Sequence, residues 1–173
     1  MNSFPDAGAI VAVQYYKKTN TIRIGIVDSG IGIAASMVDT YHPKDDLQAI
    51  KYALVPGITG TTTREGGTDY NAGAGLFFIK SIASINEDLF LVYSGSSMYK
   101  LLKNPKKRLR ADPERDKHSE KDNLPYWQGT VVGIDINLNS TEAFTNLLTL
   151  IQSTYSQAVK ERRKERYRKA RFI

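Results

Sequence analysis

The chain predicts an α+β protein, a two-layer α/β sandwich in which a mixed, mostly antiparallel sheet carries helices on one face. Three observations predict it. Ile22, Ile24 and Ile26 alternate with Arg23, Gly25 and Val27, and much later Thr130, Val132, Ile134, Ile136 and Leu138 alternate with Val131, Gly133, Asp135 and Asn137, the period of strands with one covered face. Leu47, Ile50 and Leu54, and later Phe144, Leu147, Leu148, Ile151, Tyr155 and Val159, fall at helical spacing. Thr19-Asn20 is a polar turn short enough to join the first two strands as an antiparallel hairpin.

A chain of 173 residues is expected to form one compact domain with a proper core. It has no Cys, which excludes disulfides and thiolate metal sites and fits a reducing, cytoplasmic setting. No charged start followed by an apolar run opens it and no membrane-length apolar run occurs, so membrane association is not expected. The net charge of +6 is unevenly placed. Residues 160–173 hold eight Lys or Arg against Glu161 and Glu165, so residues 1–159, the domain proper, are neutral overall. Nucleic-acid binding through that basic tail is the last-ranked expectation, since no aromatic stacking platform accompanies it.

In chain order, residues 1–7 are expected as a leading loop and the run AIVAVQYYKK after Gly8 as the first strand. The second strand ends at Asp28, and a short helix spans Ala34 to Tyr41 until Pro43 interrupts. The next helix stops at Val55-Pro56-Gly57. Residues 57–72 contain five Thr and four Gly, a long loop of the kind that is usually functional when it occurs inside a compact domain. Gly73-Ala74-Gly75 opens a helix running to about Ile85. Leu89 to Ser94 and Met98 to Leu102 are the third and fourth strands. Residues 103–123 carry eight Lys or Arg and five Asp or Glu with Leu109 and Ala111 their only apolar side chains, and are expected as a mobile insertion. After the Gly129-Thr130 strand, Asn139 or Ser140 is expected to cap the final helix, with Glu142 in its first turn and its apolar stripe on the sheet. His42 and His118 have no second ligand at metal spacing, so no zinc site is expected.

Three stretches carry chemistry. Asp28-Ser29-Gly30-Ile31-Gly32 puts a carboxylate at a strand end beside glycines that let a ligand approach the backbone, although Asp-Ser-Gly is also ordinary turn chemistry. Gly73-Ala74-Gly75-Leu76 presents helix-start amides, a phosphate-binding arrangement that needs no special side chain. It is not a dinucleotide fingerprint, because Phe78 stands where a third glycine belongs and a polar loop precedes it, and it lacks the Gly-Lys-Ser/Thr ending of a P-loop. Lys80, one turn into this helix, could reach a phosphate, but at this spacing it reads rather as a solvated surface lysine. Gly129-Thr130 starts the late strand.

This ordered set, Asp-x-Gly-x-Gly, a variable loop, Gly-x-Gly-Leu at a helix start and Gly-Thr on a late strand, resembles the GHKL family of ATP-binding domains, which includes histidine kinases, gyrase B subunits and the MutL proteins. The resemblance covers roughly residues 8–138. It implies the Bergerat-type sandwich, with ATP or ADP between the helices and a lid formed by residues 57–72, to whose phosphates Thr59, Thr61, Thr62, Thr63 and Arg64 are candidate donors. Asp28 would accept from the adenine amino group, Gly30 and Gly32 would admit the purine, Thr130 would complete the adenine site, and the amides of Gly73, Ala74, Gly75 and Leu76 would hold phosphates. Family members also carry a helix before the first strand with an Mg²⁺-holding Asn and a catalytic acid, and Asn2 is too close to that strand to match. Mg²⁺ is therefore expected only with that helix restored, and nucleotide binding at best weakened, with no turnover, is expected of these residues alone. The family implies a regulatory or kinase-like module with a protein partner. A degenerate relative serving as a protein-interaction scaffold is the alternative, and the uncovered apolar surface left without that helix makes a homo-oligomer an expectation too.

Overall fold

The computed structural model describes residues 8–64, 66–67, 72–104, 109–139 and 144–168. The leading loop (1–7), Asn71 and part of the 57–72 loop, residues 105–108, the capping candidate Ser140, the first-turn acid Glu142, and the end of the basic tail lie outside the described residues.

Strands β1 (Ala9–Tyr16) and β2 (Thr21–Asp28) form the expected hairpin. Helices α1 (Gly32–Tyr41), α2 (Asp46–Leu54) and α3 (Gly75–Asn86) follow, then β3 (Phe90–Gly95), β4 (Ser97–Leu101), β5 (His118–Lys121), β6 (Trp127–Asn137) and α4 (Phe144–Arg168). The sheet has six strands in the order β1-β2-β6-β3-β4-β5. Every pairing is antiparallel, so the parallel component allowed by "mixed" does not occur among the described residues. The long alternating β6 takes the centre because both its neighbours, β2 and β3, offer apolar faces: Ile24 lies opposite Ile134 and Val92 opposite Val132.

Asp45 caps α2, its side chain accepting from the Gln48 amide at 2.7 Å; of the predicted stripe Ile50 and Leu54 are buried and Leu47 is half-buried, and Ala49, which the spacing did not single out, is buried beside them. The main core joins these to Ile33 and Met37 of α1, Ala83 of α3 and Phe90, Val92, Tyr99, Leu101 and Ile134 of the sheet.

Two expectations are corrected. The stripe of α4 packs on α3 and not on the sheet: Leu147 and Ile151 form a second apolar cluster with Phe77 and Ile85. The reason is that α3 is apolar on more than one face, so it offers a surface to the sheet and another to α4. The charged stretch 103–123 is also held over its described later part. Residues 118–121 pair with β4 as the sixth strand, Pro113 is fully buried, and Tyr99 donates to the Pro113 carbonyl at 3.0 Å. Ion pairing and backbone pairing supply what its composition lacks in apolar area.

Candidate functional site

Asp28 is the last residue of β2 and half-buried, and its position is fixed by backbone donors. The amide of Gly30 donates to Oδ1 at 2.8 Å and that of Thr130, across on β6, donates to the same oxygen at 3.2 Å. Among the described residues Oδ2 accepts no further bond, so the turn orients a carboxylate and leaves one oxygen to accept from elsewhere. Trp127 closes the corner by donating its indole N–H to the Asp28 carbonyl at 3.0 Å.

The glycines here have identifiable causes. Gly32 has φ +79°, and a Cβ on it would lie 2.3 Å from the Gln128 carbonyl oxygen. Gly129 is forced by the same crossing: a Cβ there would lie 1.9 Å from the Asp28 carbonyl oxygen. Ser94 on β3 ties the pieces together, accepting from the Ile33 amide at 3.0 Å and donating to the Gly129 carbonyl at 2.8 Å. Thus Asp28, Gly30, Gly32 and Thr130, separated in sequence by up to 102 positions, form one corner.

The second corner is the start of α3. Ala74 occupies its N-cap without a side-chain cap bond and no acid stands in the first turn, so among the described residues neither the cap nor the first turn supplies a side-chain acceptor for the first amides of the helix. Gly73 has φ +61°, and a Cβ there would lie 2.4 Å from the Ile58 carbonyl oxygen, so packing alone demands glycine. Gly75 differs. Its φ is ordinary and an added Cβ would meet nothing within 4 Å, so open space faces the helix start at this position. Leu76 turns inward and packs on the same core cluster as Ile33 of α1.

The 57–64 segment links the two corners. Gly57 donates to the Gly73 carbonyl at 2.9 Å, fixing the loop's base beside α3. Its middle rests on α1, where Thr40 donates to the Gly60 carbonyl at 3.3 Å and Tyr41 to the Thr62 carbonyl at 3.4 Å. The hydroxyls of Thr59 and Thr61 bond to each other, and that of Thr62 accepts from the Arg64 amide. Three of the candidate hydroxyls are therefore tied into the loop, one of the Thr59–Thr61 pair as donor and Thr62 as acceptor. Helix α4 reaches this base too, with Tyr155 donating to the Ala72 carbonyl at 2.7 Å and Arg162 to the Pro56 carbonyl.

A polar pair that the sequence did not reveal lies on the other side of α3. Lys80 is fully buried, not solvated, and its ammonium donates to the Asp116 carboxylate and, at 3.1 Å, to the Arg110 carbonyl. Burial lowers the Lys80 pKa against the opposing pull of Asp116, and burial raises that of Asp116 against Lys80. Nearby, His118 stacks on Tyr99 with ring centres 4.8 Å apart and bonds Glu120 at 2.7 Å, and Glu120 takes Lys51 at 2.9 Å. The one sequence signal for Lys80 was its setting in GLFFIKSIASIN, where it is the sole charge in a largely apolar helix.

Among the described residues no group of three or more His, Cys, Asp or Glu stands where it could hold a metal, and no helix is long and apolar enough to cross a membrane. Compared with protein-family models and with curated proteins, the chain matches none.

Proposed function

We propose that the chain binds ATP or ADP, with adenine at the Asp28–Thr130 corner and phosphates at the start of α3. The observation that carries this is the Asp28 carboxylate, held by two backbone amides on Oδ1 with Oδ2 left as an acceptor at a glycine-bordered corner. An acceptor fixed in this way takes the exocyclic amino group of adenine and rejects the carbonyl that guanine has in its place. Gly30 leaves the Asp28 carboxylate clear of a side chain that would otherwise start 3.0 Å from Oδ1, while Gly32 lets the chain cross Gln128 closely enough to form the corner. The amides at the α3 start, to which the cap and first turn offer no side-chain acceptor among the described residues, would present the positive end of a helix dipole to phosphate oxygens, with open space at Gly75.

The proposal covers binding in a regulatory or kinase-like module of the GHKL type. Phosphoryl transfer would further need a metal-holding group and a base, and the resemblance assigns neither to residues 8–139. Thermal unfolding with ATP, ADP or GTP tests the proposal. At a hundred times its dissociation constant an adenine nucleotide adds about 2.7 kcal/mol, and GTP at the same concentration adds much less. An unchanged midpoint with ATP and ADP would leave the fold as a protein-interaction scaffold.

A further inference from the structure

The two edges of the sheet are built on opposite plans. β5, at one edge, is four residues long and reads HSEK, short and charged in the way edges are normally protected from pairing with another chain. β1, at the other, is eight residues long and reads AIVAVQYY, without a charge, a proline or a glycine. Among the described residues its outer side pairs with nothing, and every one of its side chains is exposed, with Ile10 at 74%, Val13 at 63% and Val11 at 58%.

We infer that β1 is a self-association edge, pairing antiparallel with β1 of a second copy so that two six-stranded sheets become one continuous sheet. In such a pair, related by a two-fold axis normal to the sheet, opposite residues must point to the same face. Residues of like parity therefore meet, and the axis passes through Ala12 or Val13. Centring on Ala12 sets Ile10 against Gln14. Centring on Val13 sets Val13 against its own copy, Val11 against Tyr15 and Ile10 against Tyr16, the aliphatic–aromatic pairs that stabilise antiparallel strands.

Charge favours the same occupant. No charged side chain lies on the seam, so two copies meet without repulsion. At each end the Lys17-Lys18 turn of one copy lies beside the other's Ala9, whose register partner on β2 is the carboxylate Asp28. On the helix-bearing face the seam also brings together Val11, Val13 and Tyr15 of both copies next to the half-buried Ile22 and Ile26, adding apolar burial to the backbone pairing.

Sedimentation velocity of the full chain over a range of concentrations tests this, together with Val13→Lys and Val13→Glu. Position 13 is exposed, so both variants are expected to keep the wild-type circular dichroism. The wild type is expected to move to twice its 19.3 kDa mass as concentration rises. Each variant alone, placing like charges together on the axis, is expected to stay monomeric, while an equal mixture of the two regains the dimer. A wild type that is monomeric at every concentration, a dimer that survives both single variants, or a mixture that remains monomeric overturns the inference.

Discussion

Asp28 and Asp116 are the same chemical group put to opposite uses. Asp116 is buried, and its charge is met inside the protein by Lys80. Asp28 is half-buried, is held by neutral backbone amides alone, and keeps an oxygen for an outside donor. A carboxylate answered by an internal cation fastens two segments together, here α3 and the 109–121 stretch. One oriented by backbone and left without an internal cation is what the proposed nucleotide site requires. What surrounds the carboxylate, more than its burial, separates the two roles.

The largest expected effect sharpens the structural side of this contrast. Lys80→Ala leaves the Asp116 carboxylate buried without its partner and is expected to cost about 3–5 kcal/mol in urea unfolding. Replacing both members, Lys80→Met with Asp116→Leu, is expected to cost clearly less than the single change. A double variant as unstable as the single one would mean that the pair is not what fastens the segment. The next effect attacks the other aspartate through its neighbour. Gly129→Ala drives a methyl into the Asp28 carbonyl, with an expected loss of about 1–3 kcal/mol and of any nucleotide-induced stabilisation. Wild-type stability in this variant would show that the corner is looser than its geometry.

Smaller effects test how the charged segment is held. Tyr99→Phe removes the bond to the Pro113 carbonyl and is expected to cost about 1–3 kcal/mol, because a buried acceptor loses its donor. Glu120 supplies the pH dependence. Burial alone would raise its pKa, but the bonds from Lys51 and His118 outweigh it and hold the group below its ordinary 4.5. Its contribution is therefore present in full above pH 4.5 and is lost as pH falls from there through the lowered value. Glu120→Gln is expected to flatten the stability profile below pH 4.5 by up to about 1 kcal/mol, since the group is partly exposed. An unaltered acid limb would show that other carboxylates set it.

The same contrast explains what the sequence disclosed. Asp28, Gly30 and Gly32 were legible because turn chemistry is local, and β2, α2 and β6 because their apolar period survives without knowledge of a partner. That Asp28 and Thr130 stand at one corner was implied only by the ordered motif set, and the bond from the Thr130 amide to Asp28 was not foreseen. Lys80 and Asp116, 36 positions apart, each look like surface charges until the fold buries both. β5 was missed because a four-residue HSEK edge has no apolar alternation and exists through its pairing with β4. The seat of α4 was misjudged because an apolar stripe says that a helix is covered without saying by what. Ser94 carried no signal at all, being one more serine in a strand.

The most direct test of the central claim is calorimetric titration of ADP, and of ATP, into the wild type and Asp28→Asn. Asparagine keeps the Oδ1 acceptor for the Gly30 and Thr130 amides but sets an amide donor where the adenine amino group would also donate. Unfolding is expected to be nearly unchanged while adenine-nucleotide affinity falls at least tenfold, about 1.4 kcal/mol or more. Equal affinity in the two proteins would contradict the assignment of Asp28 as the adenine acceptor.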